Sequence, residues 1–178
     1  ALCLDFSGSM EGKGENQLQA AMQFLFNPDE TGKVLAQWTP ADRIMVIPFD
    51  ADVRTTFEAT GNPAQQKSLV DKVSLQHAGG GTDMYACAGR ALDWMKSTRD
   101  LSSYLPAIVI MTDGKSDDAN GHFMSRWRSV NPHVPVFGIT FGDADKRQLD
   151  ALAQETSARV FDGRGDLVSA FRAVRGYN

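Results

Sequence analysis

This sequence is poor in several things, and each shortage removes a class of function. Only two cysteines occur, Cys3 in the first apolar stretch and Cys87 in a helical pattern. Both read as small buried apolar side chains rather than as a disulfide or a metal pair. No apolar run approaches the roughly 20 residues of a membrane span, so direct membrane insertion by this domain is not expected. Clusters of Lys and Arg are missing, and the net charge is −4. That balance excludes nucleic acid and anionic membrane as principal partners. There is no Gly-Lys-Ser/Thr phosphate loop and no Gly-x-Ser-x-Gly context for a serine nucleophile. Internal repeats and low-complexity segments are absent as well.

What remains is the composition of one folded domain, 42% hydrophobic and 22% charged over 178 residues. The chain starts abruptly on a strand-like stretch, so residues 1–178 are expected to be a single domain excised from a larger protein. Strand-like and helix-like patterns alternate along it. An apolar strand at residues 1–4 is followed by Leu18, Ala21, Met22, Leu25 and Phe26 at helical spacing. A connection at 29–42, longer than such joints usually are, carries Trp38, which is expected to tuck against the core. Residues 43–49 read as a buried strand, and Asp50-Ala51-Asp52 is short enough to turn the chain straight into an antiparallel strand over 53–58. Asn62-Pro63 signals a helix start, and another helix begins at Asp83. Three more strands, ending near Met111, Phe141 and Phe161, each precede a helical stripe. The pattern predicts an α/β fold: a doubly wound, mostly parallel central sheet with one antiparallel edge strand and helices on both faces.

In such a sheet, ligands bind at the carboxyl edge of the strands. Asp5-Phe6-Ser7-Gly8-Ser9 follows the first strand, with Ser7 and Ser9 able to turn their hydroxyls toward one point. Gly79-Gly80-Gly81-Thr82-Asp83 is a glycine-rich turn with a hydroxyl at Thr82. Thr112-Asp113-Gly114 ends the most apolar strand, so Asp113 repeats the placement of Asp5. These candidates offer oxygen only, the donor set that hard cations such as Mg²⁺ accept while keeping some water.

Asp-x-Ser-x-Ser, Gly-Gly-Thr and Thr-Asp-Gly in this order resemble the metal-ion-dependent adhesion site of the von Willebrand factor type A domain family. Residues 138–143 and the helical stripe of Leu149 and Leu152 resemble its late segments. The resemblance implies a Rossmann-like fold with metal ligands at Asp5, Ser7, Ser9, Thr82 and Asp113. It also implies Mg²⁺ as the cation, with Mn²⁺ or Ca²⁺ as alternatives, and a protein ligand that reaches the metal through an Asp or Glu carboxylate. A parent protein that is membrane-anchored or extracytoplasmic is slightly favoured over a subunit of a cytoplasmic assembly. The competing class is a metal-dependent hydrolase or phosphatase. Haloacid-dehalogenase-type phosphatases also place an aspartate after the first strand, but their general acid stands two residues on, where this chain has Ser7. No catalytic residue is therefore assigned. Asp117 and Asp118 read as a solvated helix start, Arg126 and Arg128 as helix-surface charges, and His77, His122 and His133 as ordinary polar residues.

Overall fold

The apolar strands lie side by side because they have two faces to bury. In the computed structural model, β1 (Leu2–Asp5), β4 (Ile108–Thr112) and β5 (Val136–Thr140) are buried at every residue, the pattern of strands covered on both sides. The structure describes residues 1–27, 38–114, 116–117, 121–130, 134–142, 144–163, 170–171 and 174. The six strands run in the order β3-β2-β1-β4-β5-β6, with β2 at Arg43–Phe49, β3 at Phe57–Thr60 and β6 at Val160–Asp162. All pairings are parallel except β2 with β3, so the expected mixed sheet with one antiparallel edge strand is what the chain forms.

Period-two alternation divides the apolar residues between two cores. Leu2, Leu4, Val109 and Met111 face one side, where α1 (Lys13–Leu25), α2 (Pro63–Ser74) and the helical residues Ala170, Phe171 and Val174 cover them. Cys3, Ile108 and Ile110 face the other, beneath α3 (Met84–Ser97), α4 (Gly121–Val130) and α5 (Arg147–Glu155). Asn62 caps α2, its Oδ1 accepting the amides of Ala64 at 3.0 Å and Gln65 at 3.3 Å, with Pro63 at the first helical position. Arg126 ties α4 to α3 through the carbonyl of Gly89 and the carboxylate of Asp93. Among the described residues no helix is long and apolar enough to cross a membrane.

Three expectations change. Cys3 and Cys87 are joined in a disulfide, with Cα atoms 6.0 Å apart. Cys3 points away from Leu2 and Leu4, onto the face where α3 packs, and Cys87 lies one turn into that helix. The pairing is thus a consequence of which face each side chain takes, which a separation of 84 residues does not reveal. The antiparallel strand begins at Phe57 instead of residue 53; Val53 makes only an isolated bridge to Phe49. Pro48 has no N–H to extend the ladder, and its carbonyl instead accepts the amide of Arg54 at 2.9 Å. Asp117 is engaged in a loop contact, its carboxylate accepting the Thr82 amide at 3.0 Å, where the sequence predicts a free solvated acid. Trp38 is tucked against the core as expected: its Nε1 donates to the Leu25 carbonyl at 2.9 Å and its ring stacks on Phe26 at 5.6 Å. Most of the 29–42 connection, together with Asp118, His133, Asp143 and Leu167, lies outside the described residues.

Closing a loop of this length should stabilise the fold by about 4 kcal/mol through the unfolded chain. Denaturant unfolding of a Cys3→Ala/Cys87→Ala variant should show that loss with both cores retained, and equal midpoints would mean that the bridge contributes nothing.

Candidate functional site

Asp5 is the last residue of β1 and is fully buried. One carboxylate oxygen accepts the Ser7 amide at 2.7 Å. The other accepts the hydroxyl of Thr112, the last residue of the neighbouring strand β4. From there a chain of hydroxyls leads outward. Ser7 Oγ lies 3.2 Å from Ser9 Oγ, and Ser9 Oγ donates to Asp113 Oδ1 at 2.8 Å. Ser7 is buried, Ser9 exposed and Asp113 half-buried, so the chain reaches the surface at Ser9 and Asp113. Asp5, Ser7, Ser9 and Asp113 are therefore brought together at the carboxyl edge of the two central strands.

Thr82 arrives on a separate loop. Gly79 donates its amide to the Phe6 carbonyl at 2.8 Å, and Gly8 donates to the Gly80 carbonyl at 3.0 Å, so the glycine-rich turn lies against the first loop. Gly80 has φ +85°, a left-handed conformation that glycine takes without strain. Thr82 is buried beside this contact, but its hydroxyl is not part of the chain from Asp5 to Asp113. Its backbone is gripped by a residue that sequence reading assigned to a solvated helix start. Asp117 accepts the Thr82 amide at 3.0 Å on Oδ2 and donates its own amide to the Thr82 carbonyl at 2.8 Å, and the Ser116 hydroxyl reaches the same carbonyl at 3.2 Å. Only its nearness to Thr112-Asp113-Gly114 in sequence could have hinted at this role.

Burial pushes the Asp5 carboxyl above its ordinary range. The hydrogen bonds from Thr112 and Ser7 pull it back, and the charge of Asp113 pushes it further up. A cation held between Asp5, Ser7, Ser9 and Asp113 would remove that cost. The donors fit a hard divalent ion, being two carboxylates and hydroxyls that already converge. Among the described residues no group of three or more His, Cys, Asp or Glu side chains is placed to hold a metal, so a site here must rely on hydroxyl ligands. At the nearby amino end of α3, the amides of Tyr85 and Ala86 are taken by the side chain of Asp83 at 3.0 and 2.9 Å. His77 stands at the rim, largely exposed, 3.3 Å from Glu15.

The raised pKa has a definite sign in stability. The folded state holds the Asp5 proton more tightly than the unfolded chain, so without metal, stability falls as pH rises from the unfolded value through the raised folded one. Asp5→Asn should flatten that part of the pH profile and raise the melting temperature in EDTA at neutral pH. A variant less stable than the parent under those conditions would contradict a strained carboxylate.

Residues 1–166 match the sequence profile of the von Willebrand factor type A domain. No curated protein matches the chain. Among solved structures, the fold is similar to a von Willebrand factor type A protein from Catenulispora acidiphila (TM-score 0.74, 18% identity), covering 97% of this chain and 40% of that one. It is also similar to an aerotolerance-related membrane protein from Bacteroides fragilis (TM-score 0.71, 16% identity, 98% and 95% covered). A third likeness is to proximal thread matrix protein 1 from the mussel byssus, solved with a zinc-occupied MIDAS motif (TM-score 0.67, 17% identity, 97% and 46% covered). At these identities the likeness is one of fold. The chain spans less than half the length of the first and third of these proteins.

Proposed function

The chain belongs to the von Willebrand factor type A domain family, and on that premise we propose that it is a divalent-cation-dependent protein-binding domain, whose metal bridges to an acidic residue of its partner. Domains of this family commonly serve adhesion or protein interaction and are generally not enzymes. The observation that carries the reading is the hydrogen-bonded series from buried Asp5, through the Ser7 amide and the Ser7 and Ser9 hydroxyls, to half-buried Asp113. It joins two loops at the carboxyl edge, and the loop bearing Thr82 is hydrogen-bonded to the first of them.

In this reading Asp5, Ser7, Ser9, Thr82 and Asp113 hold the cation, directly or through water. Mg²⁺ is the first choice on donor chemistry, with Mn²⁺ and Ca²⁺ close to it; the zinc in the mussel protein's MIDAS supports a divalent ion at this place in the fold. When bound, the cation supplies a positive centre with a position open to an outside ligand. The protein's part is to hold the hydroxyls in place and to leave Ser9 and Asp113 accessible. Two carboxylates at most balance one divalent charge, so the remaining position favours an anionic group such as a partner's Asp or Glu. Adhesion at a cell surface and assembly of a complex both use such a bridge.

Mg²⁺ or Mn²⁺ should raise the melting temperature, because a ligand selective for the native state stabilises it. Asp113→Ala should remove most of that rise with the fold intact. Equal calorimetric affinity in the parent and in Asp113→Ala would sink the assignment. Once a partner is in hand, EDTA and replacement of one partner carboxylate by its amide should each weaken binding, and the two effects should not add, since both remove the same bridge. Full binding in EDTA, read by surface plasmon resonance, would rule the bridge out.

A further inference from the structure

The two loops that would supply Ser7 and Thr82 come from distant parts of the chain, and the direct hydrogen bonds between them are the backbone pairs Gly79 to Phe6 and Gly8 to Gly80. Glycine-rich turns are conformationally free, so that contact needs a fastener. Arg54 occupies that place. Its Nη1 donates to the carbonyl of His77 at 2.8 Å, just ahead of the glycine-rich turn. Its Nη2 donates to the carbonyl of Phe6 at 3.2 Å, the residue before Ser7. The guanidinium also lies 5.6 Å from the centre of the Phe6 ring.

The guanidinium is itself held. Nε and Nη2 both donate to Asp50 Oδ2, at 3.0 and 2.7 Å, while Asp50 Oδ1 accepts the Asp52 amide at 3.0 Å. The backbone carbonyl of Asp50 accepts the amide of Asp83 at 2.7 Å, at the far end of the glycine-rich turn. One planar cation therefore ties the turn after β2 to both proposed metal loops. The expected strand over 53–58 does not form at Arg54, and its side chain is directed into this junction instead.

We propose that Arg54 is a positioning residue for cation binding: by fastening the Phe6 carbonyl to the His77 carbonyl, it sets the distance between the loop bearing Ser7 and Ser9 and the loop bearing Thr82. The proposal rests on the metal reading above and deepens it. Lysine keeps the charge but carries its donors on a single nitrogen, so it lacks the planar fork by which Nε, Nη1 and Nη2 reach Asp50, His77 and Phe6 together. Losing a residue that orients metal ligands without touching the metal typically lowers affinity about 10- to 100-fold.

The test uses Arg54→Lys and Arg54→Gln in the full chain, alone and combined with Thr82→Ala. In EDTA, amide exchange at Gly8 and Gly79 should quicken in both single variants, with the β4 amides unchanged. Mg²⁺ affinity by calorimetry should fall about 10- to 100-fold, and the fall should shrink in the Thr82→Ala background, where spacing between the loops no longer matters. A residue that merely stabilises the fold would lower the melting temperature equally in both backgrounds and leave affinity unmoved. Unchanged exchange at Gly8 and Gly79, or unchanged Mg²⁺ affinity, overturns the proposal. Absence of any Mg²⁺ binding by the unsubstituted chain overturns the metal reading and the proposal with it. In that case the exchange rates separately report whether Arg54 fastens the loops.

Discussion

A fully buried carboxylate at the end of a central strand is the constraint on which the rest of this structure turns. Asp5 has no contact with solvent, and burial of its charge is unfavourable unless hydrogen bonds offset it. The amide of Ser7 and the hydroxyl of Thr112 supply those bonds, and each has a structural consequence. The Ser7 bond folds the chain back immediately after β1, which starts the hydroxyl chain toward Asp113. The Thr112 bond joins the ends of β1 and β4, the two strands at the middle of the sheet. Asp113 stands next to Thr112 and adds a second negative charge, which raises the cost at Asp5 further. In the proposed reading, a bound cation would offset the cost of holding these two carboxylates close together.

Such a site needs a scaffold that does not relax around it. Leu4, Phe6, Met10 and Met111 fill the core on one face, while Cys3, Cys87, Ile110 and Met84 fill the other. The disulfide belongs to this second core. It joins β1 two residues before Asp5 to α3 four residues after Asp83, so it fixes the helix that follows the glycine-rich turn against the strand that carries the buried carboxylate. Arg54 acts on the other side of the same turn, through its contacts with His77, Phe6 and Asp50.

Much of this was legible in the sequence because it depends on local pattern. Continuous apolar runs at β1, β4 and β5 announced strands buried on both faces, and the strand-helix alternation announced a parallel sheet. Asp5 and Asp113 could be placed because each follows such a run directly. Residues whose roles come from contacts across the fold were not legible. Asp117 reads as a helix-start acid until its carboxylate is found on the Thr82 amide. Arg54 reads as one residue of an alternating strand until the ladder is found to stop short of it. The cysteine pairing depends on which face of β1 and which turn of α3 each side chain occupies, and a spacing of 84 residues does not encode that.

The electrostatics at the rim narrow how an acidic partner could be attracted. A helix amino end ordinarily offers free amides and a positive partial charge, and α3 points that end toward the site. Here the Asp83 carboxylate already accepts the amides of Tyr85 and Ala86, so that end is satisfied and its field is largely offset. Arg54 is committed to Asp50. An acidic ligand that approached Ser9 and Asp113 would meet the charge of Asp113 itself. In the proposed reading a cation between Asp5 and Asp113 offsets that charge, so cation loading and the binding of an acidic partner would be coupled at this surface.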